Sequence, residues 1–422
     1  MGKECFGEVD CEMNERHFDL LKLLVEYNTE SPPARNTDPL QDEIQAFLEE
    51  NGFEVQRRKM YDHDSIVVGV LKGKDPRAPK LILNGHVDVA NVEDPKYWTY
   101  PPFELTEVDE WLYGRGVSDM KGGVASLFYV LERLRKEGIE PEGDIIVQSV
   151  VGEEVGEAGT KYACEMSPEA DLALVMDTSD NQALGQGGVI TGWITVQSKE
   201  TVHDGARSQM VHAGGGLYGA SAIEKMAKII TALKELEQHW AVMKSYPDMP
   251  AGANTINPAV IEGGRNPAFI ADECRLWVTV HFLPDEDYHE VVEEIEAYLN
   301  RVAEADVWLR ENPLQFDWGG TSMIEDRGEV FPSFTLPLEH PGYKMLEAAH
   351  EAVHDEQLVS GMTTTVTDGG WLADAGVPTI LYGPGSLTEA HSVDEKVKKE
   401  ELAHYSEVLY KFLKSWYANP EK

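Results

Sequence analysis

Apolar residues recur every three to four positions in several stretches of the chain and run without interruption in several shorter ones. The first spacing places apolar side chains on one face of a helix, whereas a short apolar run between turn residues is typical of a buried strand. The spacing predicts helices over Asn14–Glu26, Asp38–Glu50, Val124–Lys136, Pro341–His354 and Val397–Tyr417. The apolar runs predict strands at Phe53–Val55, Ser65–Leu71, Leu81–Leu83, Ile145–Val151, Leu172–Met176 and Val377–Leu381. Helices that alternate with buried strands indicate an α/β layer fold.

The pattern changes from Val189 onward. The stretch ITGWITVQ alternates apolar and polar residues, as a half-exposed strand does. Helices are predicted over Ala220–Trp240 and Asp285–Glu304, and strands near Thr255–Ile261, Cys274–Phe282 and Val307–Arg310. This β-α-β-β-α-β order predicts a ferredoxin-like α+β domain inserted into the α/β fold. The predicted boundaries are residues 1–188 and 323–422 for the α/β domain and residues 189–322 for the insertion.

The overall composition narrows the class of protein. The 422 residues exceed what one hydrophobic core supports, which agrees with two domains. A formal charge of −39 repels phosphate backbones and anionic membranes, so neither nucleic acid nor a membrane is an expected partner. We find no apolar run near the roughly 20 residues of a membrane span and no apolar core of a signal peptide. Four cysteines without a CxxC pair favour a cytoplasmic location.

Candidate chemistry begins where the strand LILNGHVDV ends. His86 and Asp88 stand two positions apart, and side chains at i and i+2 of a strand point to the same face. A metal-binding histidine is commonly oriented by an acid that accepts its second ring N–H. The pair is therefore a candidate metal ligand with its orienting acid, and a hydrogen-bonded pair at a strand end is the alternative.

Acidic residues follow the other predicted strands and one glycine-rich turn. Asp119 lies in YGRGVSDMKGG just before a helix. Its carboxylate can be shared by two metal ions there, and the alternative is an ordinary acidic residue that the helix dipole stabilises at the N-terminus. Glu153 and Glu154 follow a buried strand, and their diverging side chains suit one metal ligand and one general base. Asp177 ends the next strand. An open α/β sheet places its site at such strand ends.

Five motifs, taken in order, resemble those of a family of co-catalytic zinc hydrolases: NGHVDVA, GRGVSDMKGG, VGEEVGEAGT, the acid at Asp177 and GPGSLTEAHSVDE. The family includes acetylornithine deacetylase, succinyl-diaminopimelate desuccinylase, aminoacylase and carboxypeptidase G. The resemblance covers nearly the whole chain. It implies a zinc exopeptidase-like central mixed sheet with helices on both faces, and an inserted domain that serves as lid and dimerisation surface.

The resemblance also implies two zinc ions per subunit. His86 and Asp177 match the terminal ligands of the first ion, and Glu154 and His391 match those of the second. Asp119 matches the carboxylate that bridges them. This mixture of nitrogen and oxygen ligands suits zinc, with cobalt or manganese as substitutes.

Three further residues match catalytic positions of the family. Asp88 matches the acid that orients His86, and Glu153 matches the general base that transfers the proton of the attacking water to the leaving amine. His212, in HAGGGLYGASA, matches a lid histidine that stabilises the developing negative charge in the partner subunit, although Ser221 replaces the usual asparagine. This match implies a homodimer formed through the lid, and His203 is the rival for the same role.

The residues predicted to contact the substrate match the family's pattern less closely than the metal ligands do. Asn254 in GANTIN matches a lid asparagine, with a turn-forming residue as the alternative, and Gly385 in the Gly-Pro-Gly loop is a further candidate. The family often places an arginine in Arg-x-x-Pro on the substrate carboxylate, but this chain has His281 there. A histidine binds a carboxylate more weakly than the fixed guanidinium fork does. Arg265 and Arg275 are candidates to replace it.

These observations predict an amidohydrolase that removes a small acyl group from an N-acyl amino acid or amine. N-acetylornithine is the first substrate hypothesis. The alternatives are a dipeptidase or aminopeptidase, an N-formyl-aminopyrimidine deformylase, which needs no carboxylate-binding arginine, and a binding protein without activity on the same scaffold.

Overall fold

Contacts within the computed structural model, which describes residues 13–32, 35–206, 219–325 and 327–418, divide the chain into two units. The first unit comprises Met1–Gly185 and Phe334–Lys422, and the inserted unit comprises Gln186–Ser333. Most of the helices and strands predicted from the hydrophobic pattern are present in each.

The N-terminal part of the first unit alternates helices and strands. Its helices are α1 (Glu15–Glu26), α2 (Asp38–Glu50), α3 (Lys121–Lys136) and α4 (Gly159–Met166). Its strands are β1 (Glu30–Ser31), β2 (Glu54–Tyr61), β3 (Asp64–Leu71), β4 (Leu81–His86), β5 (Val89–Ala90), β6 (Thr106–Val108), β7 (Trp111–Tyr113), β8 (Ile145–Val150), β9 (Leu172–Val175) and β10 (Ala183–Gly185).

The inserted unit contains β11 (Gly188–Gln197), α5 (Ala222–Met243), β12 (Ile256–Gly263), β13 (Glu273–Phe282), α6 (Tyr288–Glu304), α7 (Val307–Glu311), β14 (Gln315–Trp318) and β15 (Val330–Phe331). Four of its strands are ordered β12-β13-β11-β14, all antiparallel, and β15 also pairs with β11. The strands and helices follow the predicted ferredoxin-like order.

One predicted strand of the inserted unit is wrong. Residues 307–310 belong to helix α7, and the fourth strand of the motif is β14. The Asp306 carboxylate accepts hydrogen bonds from the backbone N–H groups of Trp308 and Leu309 at 3.0 and 3.1 Å. This N-terminal capping favours a helical turn over an extended chain.

The C-terminal part of the first unit contains α8 (Pro341–His354), β16 (Ser360–Met362), α9 (Gly369–Asp374), β17 (Thr379–Leu381), β18 (Lys396–Lys398) and α10 (Lys399–Tyr417). It completes an eight-stranded mixed sheet in the order β16-β10-β17-β9-β4-β8-β3-β2. Helices α1, α3, α8 and α10 pack together in one layer. Helix α4 packs on α9, and both α2 and α4 contact β3. The predicted mixed sheet covered by helices is confirmed.

The centre of this sheet positions the candidate residues. Strand β4 is buried along its whole length and pairs in parallel with β8 and β9. The carboxyl ends of these three neighbouring strands therefore meet at one edge, where an open α/β sheet forms its binding crevice. Among the described helices, none combines the length and the hydropathy of a membrane span.

Candidate metal centre

The predicted ligands of the first unit come from five separate segments of its fold. His86 ends β4, Asp119 precedes α3, Glu154 lies in a single helical turn after β8, Asp177 follows β9 and His391 lies before β18. The geometry brings all five together.

Asp119 lies between the two histidines. Its Oδ1 is 3.2 Å from Nε2 of His86, and its Oδ2 is 3.4 Å from Nε2 of His391. The two oxygens of one carboxylate thus face two different imidazoles. This is the arrangement that a carboxylate bridging two closely spaced cations requires.

Each of the two remaining acids lies near a different histidine. Oδ2 of Asp177 is 3.9 Å from Nε2 of His86, and Oε2 of Glu154 is 2.8 Å from Nε2 of His391. Two ligand sets result, which we call the first set (His86, Asp177 and Asp119) and the second set (His391, Glu154 and Asp119). Ligand atoms of His86, Asp119 and Glu154 also lie within 4.8 Å of one another, which links the two sets.

The orientation of His86 differs in detail from the sequence-based expectation. Its Nδ1 lies 3.0 Å from the backbone carbonyl oxygen of Asp88 and 3.8 Å from the Asp88 carboxylate. Because a carbonyl oxygen only accepts, Nδ1 carries a proton, and Nε2 is the ring nitrogen that faces Asp119 and Asp177. The Asp88 carboxylate instead accepts a hydrogen bond from the backbone N–H of Glu154 at 3.2 Å. Asp88 therefore orients the ring through its main chain and supports the Glu154 turn through its side chain.

The charges of this cluster fit a cation. Nε2 of His86 and Oε1 of Glu154 are buried without a hydrogen-bond partner among the described residues. Burial and the charge of Asp119 raise the pKa of Glu154 to about 7 and that of Asp177 to about 8. Hydrogen bonds to Asp119 and Glu154 raise the pKa of His391 to about 10. Converging acids that repel one another and draw protons onto histidine are what a divalent ion would neutralise.

Glu153 occupies the same turn as Glu154, between two glycines. Gly152 has a φ of +89°, and a Cβ there would lie 2.4 Å from Cβ of Glu157, so a side chain at this position would disrupt the turn. Arg35 holds Glu157 through two hydrogen bonds of 2.7 and 2.9 Å. The turn is thereby fixed against the body of the first unit.

The electrostatic environment of Glu153 suits a general base. Burial raises its pKa well above the usual value, and the charges of Asp177 and Glu154 raise it further against the opposing charge of His86. A carboxylate with a raised pKa accepts a proton more readily and can return it within the same reaction.

Three residues near this centre were not identified as functional from the sequence. Asp368 is buried beside Thr160. Burial raises its pKa to about 7. Glu395 and Arg115 form a buried ion pair with an N–O distance of 2.7 Å. The sequence offered two signals for this pair. Glu395 follows His391 by four positions, and Arg115 stands between the two glycines of GRG.

The predicted substrate residues fall in different places. Gly385 lies in the first unit with a φ of +81°, and a Cβ there would be 2.4 Å from Oγ of Ser118, so only glycine allows this close approach. Asn254, His281 and Arg265 belong to the inserted unit. Asn254 is buried, and neither polar atom of its amide has a partner among the described residues.

The basic candidates of the inserted unit are exposed or have other contacts. His281 is exposed on β13. Arg265 is exposed and forms an ion pair with Asp272, while Arg275 stacks over the Trp193 ring at 4.2 Å. His203 is exposed and forms an isolated β-bridge with Phe269. His212 lies outside the described residues.

Comparisons with known proteins identify the family of this chain. Residues 82–415 match the model of Peptidase family M20/M25/M40. The chain is 54% identical over 406 residues to an N-formyl-4-amino-5-aminomethyl-2-methylpyrimidine deformylase of Bacillus subtilis, covering 96% of this chain and 95% of that protein.

Two solved structures share the fold at low sequence identity. An M20 family metallo-carboxypeptidase from Sulfolobus solfataricus gives a TM-score of 0.72 at 15% identity, covering 96% of this chain and 100% of that chain. A dinuclear metal-binding peptidase of the M20 family from Bacillus subtilis gives a TM-score of 0.64 at 15% identity, covering 96% and 98%.

These findings confirm the family resemblance and the prediction of a metal-dependent hydrolase that cleaves an amide bond of an N-acyl substrate. The chain belongs to peptidase family M20/M25/M40.

Proposed function

We propose that this protein hydrolyses N-formyl-4-amino-5-aminomethyl-2-methylpyrimidine to formate and the free aminomethylpyrimidine. The observation that carries the proposal is the 54% identity to a deformylase of this substrate, which extends over nearly the full length of both chains. This replaces N-acetylornithine as the first substrate hypothesis and favours the deformylase alternative.

Among the described residues, the two arginines that could replace the family's arginine have other partners, and this supports the proposed substrate. His281 stands where the family often has arginine, Arg265 is paired with Asp272, and Arg275 stacks on Trp193. An N-acyl amino acid presents a carboxylate that a guanidinium fork binds well. The formylated pyrimidine has no carboxylate, so its binding does not need such a fork.

The first and second ligand sets are the proposed sites of two zinc ions, with cobalt or manganese as substitutes. Bound ions supply Lewis acidity that activates water and polarises the formyl carbonyl. Glu153 accepts the proton of the attacking water as the oxygen adds to the formyl carbon. It then delivers that proton to the leaving nitrogen as the C–N bond breaks, which yields formate and a primary amine.

Residues of the inserted unit are proposed to hold the substrate. The buried amide of Asn254 offers an NH2 group that donates and an oxygen that accepts, and neither has a partner among the described residues. An aminopyrimidine edge presents the complementary ring nitrogen and amino group. We assign His281 to the same contact region and His212 to the donor that stabilises charge on the formyl oxygen. Gly385 is proposed to let the substrate approach the loop that carries Ser118.

The exposed edge of the inserted unit supports the proposal of a homodimer. Strand β12 lies at the edge of its sheet, and every residue after Ile256 in it is exposed. Val260 and Ile261 present apolar side chains to solvent on this strand. An edge strand of this kind is available to pair with another chain. Sedimentation that gives only a monomer-sized species would contradict the dimer.

The substrate proposal is tested by incubating zinc-loaded protein with a panel of amides. The panel contains the formylaminopyrimidine, N-acetylornithine, N-acetylmethionine, succinyl-diaminopimelate and several dipeptides, each with and without a chelator. We expect chelator-sensitive release of formate, with kcat/KM for the pyrimidine at least about tenfold above any other substrate, a difference of about 1.4 kcal/mol. Preferential turnover of an acyl amino acid or a dipeptide would contradict the proposal.

A further inference from the structure

Glu395 and Arg115 link the two loops that carry Asp119 and His391. Their side chains are 0% and 2% exposed, and Nη1 of Arg115 lies 2.7 Å from Oε2 of Glu395. We propose that this pair positions Asp119 and His391 relative to each other and thereby sets the affinity of the second ligand set for its metal ion. The inference rests on the proposed function in that it requires metal ions at this centre.

Glu395 directs its whole hydrogen-bonding capacity at the loop that precedes α3. Oε1 accepts from the backbone N–H groups of Ser118 and Asp119 at 2.8 and 3.0 Å. Oε2 accepts from the backbone N–H of Gly116 at 3.0 Å in addition to the Arg115 guanidinium. A carboxylate removed from water is tolerated when its oxygens are satisfied in this way. Its four donors all belong to residues 115–119, so Glu395 fixes the backbone from which the Asp119 carboxylate projects.

Arg115 extends the connection to His391. Its Nη2 donates to the backbone carbonyl oxygens of His391 and Asn91, each at 3.3 Å. Its guanidinium also lies 5.0 Å from the centre of the Trp98 ring. The Arg115 guanidinium therefore binds the Glu395 carboxylate through Nη1 and the backbone of His391 through Nη2.

The backbone of His391 needs such support. Its φ is +60°, in the left-handed region, where a side chain with a Cβ is strained by about 1–2 kcal/mol. A strained conformation persists only where surrounding contacts hold it. The hydrogen bond from Arg115 to the His391 carbonyl is one of these contacts.

The Glu395–Arg115 pair contacts more ligands of the second set than of the first. Two of the three ligands in the second set, Asp119 and His391, are tied to the pair. In the first set only the shared Asp119 is tied to it, because His86 is fixed by β4 and by the Asp88 carbonyl. Loss of the pair should therefore weaken metal binding at the second set more than at the first.

The test is calorimetric titration of the metal-free, full-length protein with zinc. All the groups around the Glu395 carboxylate are hydrogen-bond donors. In Glu395→Gln the NH2 of the new amide would therefore face N–H groups and could not bond to them. We expect one of the two zinc dissociation constants to rise by about 10- to 100-fold, the usual effect of removing a residue that positions a ligand. The other constant should change by less than about threefold. Arg115→Lys, which keeps the charge but loses the fork toward His391, should show a smaller rise in the same constant.

Asp144→Asn is the matched control. The Asp144 carboxylate is also buried and accepts from one cation, Lys72, at 3.1 Å and one backbone N–H, Gly73, at 3.0 Å. It precedes β8, at the end of that strand opposite Glu153. We expect this variant to lower the melting temperature of the metal-free protein and to leave both zinc constants unchanged. In Glu395→Gln, excess zinc should restore kcat, which a general loss of structure would not allow.

The outcomes separate this inference from the proposed function. If the wild-type protein binds no pair of zinc ions, the proposed metal centre fails. If the wild type binds two ions and both Glu395→Gln and Arg115→Lys bind them with unchanged constants, the positioning role is overturned. Equal weakening of both constants in these variants and in Asp144→Asn would also overturn it. If Glu395→Gln does not fold, the titration of Arg115→Lys decides.

Discussion

Nε2 of His391 lies 2.8 Å from Oε2 of Glu154, which joins the loop before β18 to the turn after β8. This contact belongs to the second ligand set, so removing the imidazole should remove one metal ion and not both. We expect His391→Ala to reduce the zinc content of dialysed protein from about two to about one per chain, measured by elemental analysis. His404→Ala is the control, since His404 lies in α10 beside His354 with ring centres 5.3 Å apart. Retention of two ions by His391→Ala would contradict the assignment.

Replacing Glu153 should separate proton transfer from metal binding. Glu153→Gln keeps the shape of the side chain and removes its basicity, so kcat should fall by about 10²- to 10⁴-fold. Zinc content and melting temperature should stay close to wild type, because Glu153 is not assigned to either ligand set. A variant that retains full turnover would disprove the role of Glu153 as the general base.

Substrate preference should depend on His281. The side chain is exposed on β13, so its replacement should disturb the fold little. We expect His281→Ala to raise KM for the formylaminopyrimidine. His281→Arg should raise kcat/KM for N-acetylornithine by about tenfold or more, because a hydrogen bond to a charged partner contributes about 1.5–3 kcal/mol. An unchanged KM in the alanine variant would exclude a substrate contact.

Asp368 should make the metal-free protein less stable as the pH rises. Burial raises its folded-state pKa to about 7, above the unfolded value of about 3.9. Below pH 4 the carboxyl is protonated in both states. Between pH 4 and 7 the unfolded chain loses this proton and the folded chain keeps it, so the free energy of unfolding falls until the folded pKa is passed. Asp368→Asn should therefore gain stability over wild type with rising pH, by at most about 4 kcal/mol at pH 8.

Asp306→Asn is a control of opposite sign for that measurement. Hydrogen bonds from Lys225 and from the backbone of α7 outweigh the effect of burial and lower the pKa of Asp306. Its ionised form therefore stabilises the folded state, and this stabilisation is fully present above the unfolded pKa. The asparagine variant should be less stable than wild type by a nearly constant amount between pH 4 and 8. Urea unfolding between pH 4 and 8, in the presence of a chelator, measures both variants. Parallel pH profiles for wild type and Asp368→Asn would contradict the expected effect.

The hydrophobic pattern predicted most of the fold and the convergence of the ligands. His86, Glu153, Glu154 and Asp177 all follow strongly apolar strands, and neighbouring strand ends must meet at one edge of a parallel sheet. Residues 307–310 show the limit of the pattern, because a short apolar run does not distinguish strand from helix. There the Asp306 carboxylate, held by Lys225 and Lys228, decides for a helix.

Contacts between distant residues were beyond prediction. Glu395 and Arg115 are 280 positions apart, and neither residue type by itself indicates a buried pair. The contact of His86 with the backbone carbonyl of Asp88 could not be predicted either. A sequence pattern specifies a residue but not whether its main-chain or its side-chain oxygen meets a ring nitrogen. Strand β15 is only two residues long, and its pairing with β11 has no local signal.

The position of β17 in the sheet has a consequence for synthesis of the protein. β17 covers one edge of β9, and both sheet neighbours of β10, β16 and β17, are encoded after the inserted unit. About two hundred residues must be translated between β9 and β17, which takes roughly 10–40 seconds at 5–20 residues per second. Throughout that interval the nascent chain carries an unpaired strand edge beside four acids and one histidine of an unfinished centre. That edge is open to ribosome-associated chaperones during the interval.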